Sequence, residues 1–326
     1  MNLSGKNILV AGGTGMIGQY LVRLLLEKGA KVTIAALDSP ELVPDGVSYM
    51  RLNLKDAVNC VQACNGMDVV FNLVGIKTSP KIMKERPATT MSSYFQFNTN
   101  MLEAAFRNGV EWYLYTSSIG VYGEGQVLKE DDVWSTFPSK NDWFAGWSKR
   151  MGELHVDAYR IEYDWKKVSI VRPANVYGRF DNFDPVTAMV VPSLIHRLFS
   201  GENPFVVWGN GSAIRDFIHA KDVARGMLFV VENEITKPMN LGSGQGYSIK
   251  TLVDMLLKVS KKEDILVAWD DTKPTGDVRR ILDTSFAQSL GFNSTISLLE
   301  GLQDTYTWYE QNQELFKKRF DVFKKG

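Results

Sequence analysis

The stretch Asn7–Gly18, NILVAGGTGMIG, constrains this chain more than any other. Ile8 to Ala11 is an apolar run that reads as a short strand buried on both faces. Gly12, Gly15 and Gly18 follow at a spacing of three. From Gln19 to Lys28 the apolar residues Leu21, Leu24 and Leu25 then fall at helical spacing. Strand, glycine turn and helix in that order form a dinucleotide-binding turn. The first glycine admits the tight turn, the second leaves bare backbone for a pyrophosphate, and the third lets helix and strand pack closely. The helix start adds unpaired N–H groups and partial positive charge. Met16 and Ile17, inside the turn, join the three glycines as cofactor-binding candidates.

The rest of the chain alternates strands and helices. Strands are expected at Lys31–Leu37, Val47–Leu54, Asp68–Val74, Glu111–Ser117 and Val168–Arg172. Helices are expected at Thr99–Phe106, Asp142–Tyr163, Val223–Val231 and Ile249–Val259. This alternation predicts an α/β fold, a doubly wound parallel (Rossmann) sheet, with a second, smaller α/β lobe. Residues 1–176 and 215–245 are assigned to the dinucleotide domain, and 177–214 and 246–326 to the substrate lobe.

In such folds an acidic residue near the end of the second strand holds the adenosine ribose. Ala36 occupies the first place expected for it, and Asp38 stands two residues on. No Arg or Lys follows closely to take a 2′-phosphate, the next being Arg51, so NAD is favoured over NADP. The alternative makes Asp38 a turn residue before Pro40. Asn53 and Leu54, closing the third strand, and Leu73, closing the fourth, complete the cofactor set on this side.

Charge and length exclude several classes of function. Lys plus Arg equals Asp plus Glu at 37 each, so no basic field attracts nucleic acid or an anionic membrane. No apolar run approaches a bilayer's thickness, and MNLSGKNILVAGG leads straight into a strand rather than reading as a signal peptide. A cytoplasmic location is the default expectation. Cys60 and Cys64 lie four apart on one helical face, as two buried thiols of a reducing compartment. His155, His196 and His219 show no ligand spacing, so no metal site is expected.

Ligands of a doubly wound sheet sit beyond the carboxyl ends of its strands. Two segments should converge there, Thr116–Gly123 and Phe144–Lys149. At this point the motifs AGGTGMIG, TSSIGVYG, SKRMGE, RPANVYG, WGNGSAIRDFIHAKDVA, MNLGSGQGYSIK and KPTGDVRRILD can be taken together. With them the chain resembles the extended short-chain dehydrogenase/reductases, the nucleotide-sugar epimerase, dehydratase and reductase family. The resemblance covers nearly the whole chain. Residues 175–197 and the KPTG segment from Lys273 look most like the GDP-fucose synthase branch.

The resemblance implies a Ser or Thr, a Tyr and a Lys, with the Tyr four residues before the Lys. Ser118 and Lys149 match, but Ala145 stands in the tyrosine's place. A methyl group carries no proton, and general acid–base catalysis contributes about a hundred- to ten-thousand-fold. The chain as written should therefore bind its ligands and turn over poorly. Either a native tyrosine has been replaced by Ala145, which the otherwise well-kept flanking pattern favours, or the native protein lacks it. Tyr122 is the nearest substitute base by motif, although its usual role is packing near the sugar.

Other departures narrow the reaction that the resemblance implies. Ile119 and Gly120 occupy the places of the dehydratase acid pair, which disfavours dehydration. Gly120 and Met189 occupy the places of the Cys and His that serve double epimerisation in GDP-fucose synthases. Hydride transfer at one carbon remains: an NAD-dependent nucleotide-sugar 4-epimerase, disabled in this copy. The alternatives are an NADP-dependent 4-keto-sugar reductase and a non-catalytic dinucleotide-binding regulator. The substrate is a nucleotide sugar. Asn175 and Arg215 match residues that contact its diphosphate, and Lys273 and Arg280 are further phosphate candidates. For each of these cations the alternative is a surface or inter-lobe ion pair. Pro173 matches the place where the nicotinamide amide docks. The helix from about Thr99 and the long helix from Asp142 resemble the pair that forms a four-helix homodimer core, with Phe106, Tyr159 and Trp165 as contact candidates.

Overall fold

The structure, a computed structural model, describes residues 1–77, 79–273, 275–315, 319–320 and 322–323. The chain runs β1 (Asn7–Ala11), α1 (Met16–Glu27), β2 (Lys31–Ala36), β3 (Ser48–Arg51), α2 (Ala57–Cys64), β4 (Val69–Asn72), α3 (Pro80–Glu85) and α4 (Pro87–Arg107). It continues with β5 (Trp112–Thr116), α5 (Trp143–Tyr163), β6 (Val168–Pro173), β7 (Asn175–Tyr177), α6 (Val190–Phe199), β8 (Phe205–Trp208), β9 (Ile214–Arg215) and β10 (Phe217–His219). The remainder is α7 (Ala220–Glu232), β11 (Met239–Leu241), β12 (Tyr247–Ser248), α8 (Ile249–Ser260), β13 (Val267–Asp270), β14 (Arg279–Arg280), α9 (Ser285–Ser289) and α10 (Leu298–Gln311).

Seven strands form one parallel sheet in the order β3-β2-β1-β4-β5-β6-β11. The apolar run in β1 explains its central place. Side chains alternate across a strand, so Ile8 and Val10 enter one core, with Leu21 and Leu25 of α1 and Val223 and Met227 of α7. Leu9 and Ala11 enter the other, with Phe97 and Met101 of α4 and Val156 of α5. Each aliphatic side chain so buried contributes roughly 1.5–3 kcal/mol. From β1 the chain winds to β2 and β3 on one side; it returns to β4 and then proceeds to β5, β6 and β11 on the other. The winding reverses between β1 and β4, so a crevice opens where these strands end, at Gly12 and Leu73.

A separate core lies beyond this sheet. Phe183, Leu194, Phe205, Leu256 and Leu302 bury one another among the short sheets β7/β10 and β8/β13 and the helices α6, α8 and α10. A capping box between Ser297 and Glu300 starts α10.

Several elements differ from expectation. β3 stops at Arg51 because Leu52, Asn53 and Leu54 leave the sheet to wall the crevice. The helix expected from Thr99 begins at Pro87. Its first half buries Thr90, Ser93, Tyr94 and Asn98, a composition too polar to show an apolar period. Phe106, Tyr159 and Trp165 pack on one another inside the protomer, Phe106 lying 5.1 Å from Tyr159 and 5.5 Å from Trp165 between ring centroids. Cys60 and Cys64 are buried and unlinked on α2, and burial pushes both thiols up to about 12. Among the described residues no helix is long and apolar enough to cross a membrane.

Candidate dinucleotide and sugar site

The crevice is a cavity of about 560 Å³ over the ends of β1, β4, β5 and β6. Gly12 turns out of β1 with φ +79°, and a Cβ there would stand 3.2–3.3 Å from the backbone of Leu73 and Val74. Gly15 caps α1 in extended conformation and aims the helix start at the cavity. Gly18 is needed for a different contact from the one expected. A Cβ on it would lie 2.5–2.7 Å from the backbone of Gly13, so the third glycine closes the helix onto the turn itself. Met16 and Ile17 line the same wall.

Asp38 stands at the far end of this wall. Its carboxylate accepts the Thr14 hydroxyl at 2.5 Å and the Phe320 N–H at 2.6 Å. Asn53, Leu54 and Leu73 line the cavity on this side and Pro173 on the other. The register places Arg51 opposite Ala36, and its Nε donates to the Leu37 carbonyl at 3.4 Å. A cation thus stands beside the end of β2, next to Asp38, in space although it is distant in sequence.

The opposite end joins the turn after β5 to the start of α5. Ser118 begins a 3₁₀ turn over Ile119–Val121, and its Oγ accepts the Gly120 N–H at 3.1 Å, leaving its proton to donate elsewhere. Lys149, one helical turn after Ala145, donates from Nζ to the Thr116 carbonyl at 2.7 Å. The ammonium lies 4.8 Å from the Tyr94 ring centroid and 5.4 Å from that of Tyr115. Burial brings its pKa down from 10.5 to about 7, opposed by the charge of Glu153. Ser118, Ala145, Lys149, Gly120 and Met189 all line the cavity. Phe144, beside Ala145, is 40 % exposed, so the alanine is the residue that faces inward.

Tyr122 does not reach the cavity. Its hydroxyl donates to Asn240 at 2.6 Å and accepts from Arg172 at 3.1 Å, beneath the buried Arg172–Glu153 pair. Burial raises its pKa far above the ordinary phenol range. It serves packing and, away from the cavity, is not placed to act as the substitute base.

The sugar-side candidates divide. Asn175 lines the cavity while its Nδ2 donates to the Asp216 carbonyl at 2.9 Å. Arg215 lies outside the lining, donating to the carbonyls of Ile214 at 2.8 Å and Thr275 at 2.9 Å. Lys273 sits on the exposed turn after β13; Pro274, next in the KPTG motif, lies outside the described residues. Arg280 is buried and engaged by Asp142, by Asp277 at 3.0 Å and by the Ile119 carbonyl. It braces the Ser118 turn against α5.

Sequence reasoning missed four groups here. Asp142 caps α5 and lines the cavity beside Gly120. Thr14 orients Asp38. Lys77 pairs with Asp181 at 2.6 Å and bonds the Val176 carbonyl at 2.9 Å, and burial holds its pKa below the usual lysine range. The strand-end rule that marked Ser118 would have marked Lys77, five residues past β4. Arg319 reaches the cavity from the C-terminal segment, with no sequence signal.

Two features of the cavity fit a dinucleotide. The Thr116 Oγ1, buried in the cavity wall, has no hydrogen-bond partner among the described residues, and the start of α1 at Gly15 faces the same cavity. Both suit a bound group that supplies hydrogen bonds and accepts backbone N–H groups.

A reversed-winding parallel sheet with a glycine turn at its switch point defines a Rossmann-type nucleotide-binding protein. More narrowly, the chain belongs to the NAD dependent epimerase/dehydratase family, whose model matches residues 8–242. It is 30% identical to GDP-L-fucose synthase 1 of Arabidopsis thaliana over 322 residues, 96% of this chain and 95% of that one. Its fold is similar to UDP-glucose 4-epimerase of Thermotoga maritima, solved with UDP-glucose, at TM-score 0.82 and 27% identity, covering 94% and 100% of the two chains. MoeE5, solved with UDP-glucose and NAD, matches at TM-score 0.81 and 25% identity, covering 94% and 99%.

Proposed function

We propose that this chain binds NAD and a nucleotide sugar in one cavity and moves hydride at the sugar C4, in its leading form as a 4-epimerase. One observation carries the reading: the glycine turn, Ser118, Lys149 and Asn175 meet in a single cavity at the sheet's switch point. A bound nicotinamide would supply reversible hydride exchange with the sugar C4. Gly12, Gly15, Met16, Ile17 and Gly18 hold the diphosphate, Asp38 the adenosine ribose, and Asn53 and Leu54 the adenine end. Leu73 and Pro173 flank the nicotinamide, and Lys149 holds its ribose. Ser118 donates to the reacting sugar oxygen. Asn175 faces the sugar diphosphate. Residues 177–214 and 246–326 form the sugar-holding part, from which Lys273 reaches a phosphate; Arg215, at its border and outside the cavity lining, reaches one only by leaving the Ile214 and Thr275 carbonyls. Arg280 would reach a phosphate only by releasing Asp142 or Asp277.

Ala145 leaves the reacting oxygen without a phenol beside Lys149. Turnover is accordingly slower than in a tyrosine-bearing site, by about a hundred- to ten-thousand-fold. The protein assembles as a homodimer. Exposed Met151, Leu154 and Ile161, three, then seven residues apart along α5, form a stripe that supplies the contact.

A second reading is reduction of a 4-keto nucleotide sugar with reduced NADP. The similarity to a GDP-L-fucose synthase favours it, as does Arg51 beside the ribose end. The test is incubation with GDP-, UDP- and dTDP-sugars, following C4 epimers by NMR and, separately, consumption of reduced cofactor with 4-keto sugars. Epimer interconversion supports the first reading and stoichiometric oxidation of cofactor the second. Failure to bind any nucleotide sugar contradicts both.

A further inference from the structure

Arg319 lies over the start of α1. Its guanidinium nitrogen is 3.4 Å from where a Cβ of Gly15 would stand, at the cap of the helix. A cation in that place is unfavourable, because a helix N-terminus already carries about half a positive charge. A second cation, Lys77, lines the same cavity, but Asp181 neutralises it. Arg319 has no carboxylate partner among the described residues; its Nη1 donates to the Phe180 carbonyl at 2.6 Å. The neighbouring Phe320 N–H is held by Asp38 at 2.6 Å, which fixes the segment on the nucleotide side of the cavity. Helix start and guanidinium therefore stand in contact, two positive groups side by side, and among the described residues no carboxylate pairs with the arginine.

We propose that Arg319, brought by the C-terminal segment, is a ligand of the dinucleotide's diphosphate. The proposal rests on the dinucleotide reading of this cavity. A diphosphate lying alongside Gly15 and Arg319 in the cavity accepts backbone N–H groups from the helix start and hydrogen bonds from the guanidinium. The two unfavourable positive ends then both become favourable. Residues 246–326, assigned to the sugar lobe, thus contribute one group to the dinucleotide.

Calorimetry of the full chain and of Arg319→Gln tests this with three probes: NAD, ADP-ribose and adenosine. One charge-assisted pair corresponds to about a tenfold change in affinity or more. The expected result is NAD and ADP-ribose weakened about tenfold, with a shallower salt dependence, adenosine unchanged, and Arg319→Lys intermediate. Unchanged NAD affinity in Arg319→Gln overturns the proposal. Tighter binding overturns it too and makes the segment a competitor for the site. Equal weakening of adenosine assigns the effect to distortion of the pocket and also overturns it. If the unmodified chain binds no NAD, the dinucleotide reading falls and takes this inference with it.

Discussion

Gly146 of α5 rests on the backbone of Gly120 so closely that a Cβ at position 146 would stand 2.3 Å from the Gly120 carbonyl oxygen. This contact joins the helix that carries Lys149 to the turn that carries Ser118. Helix propensity alone would favour Gly146→Ala by about 1 kcal/mol. The backbone oxygen cannot swing aside, so overpacking prevails at about 1–3 kcal/mol. The expected outcome is a lower denaturation midpoint with little change in the slope. An unchanged or higher midpoint would show that the helix moves without cost.

Lys149 should impose a pH dependence on stability. Its folded pKa of about 7 lies below the ordinary 10.5, so the unfolded chain holds the extra proton between those values. Stability from this group therefore rises with pH across that window and is flat below it. Lys149→Met removes the cost of burying the charge. Its stability relative to the parent should be greatest at about pH 6 and should shrink by about pH 9. A difference in melting temperature that stays constant over this range contradicts the assignment.

Cofactor choice follows from the groups at the ribose end. Asp38 repels a 2′-phosphate, whereas Arg51 attracts one. The carboxylate is the group that lines the cavity, so NAD should bind more tightly than NADP. Asp38→Ala should weaken NAD by about tenfold, the loss of a charge-assisted pair of hydrogen bonds. Tighter binding of NADP by the unmodified chain would transfer control of this end to Arg51.

The stripe on α5 makes a separate claim. Light scattering at micromolar protein should give twice the 36.7 kDa chain mass, and Leu154→Glu should give the monomer. A monomeric parent chain would contradict the dimer.

The sheet was legible because β1 announces itself twice, by an apolar run and by the glycines after it. Its neighbours repeat the pattern with turns between. α4 was half hidden because its first half buries the polar residues Thr90, Ser93 and Asn98, of which Asn98 meets the Tyr115 hydroxyl only in the fold. The shared cavity face of Ala145 and Lys149 was legible through their spacing of four, which is one helical turn. The settings of the arginines were not, because an arginine's partner is set by tertiary packing. Arg280 is closed off by Asp142 and Asp277, and Arg319 arrives from the far end of the chain. The missing cation after Asp38 was a statement about sequence neighbours; Arg51 becomes a spatial neighbour through the register of β2 and β3.

Ala145→Tyr is the measurement that bears most directly on the site. The substitution places a phenol one turn before Lys149, facing the same cavity as Ser118. Assayed for interconversion of C4 epimers of several nucleotide sugars, and for reduction of 4-keto sugars, the variant should exceed the parent chain by about a hundredfold or more. Substrate affinity should change little, since Asn175 and the diphosphate contacts are untouched. A tyrosine variant that binds NAD and nucleotide sugar yet shows neither activity would contradict hydride transfer at this site and leave a non-catalytic, dinucleotide-sensing protein in its place.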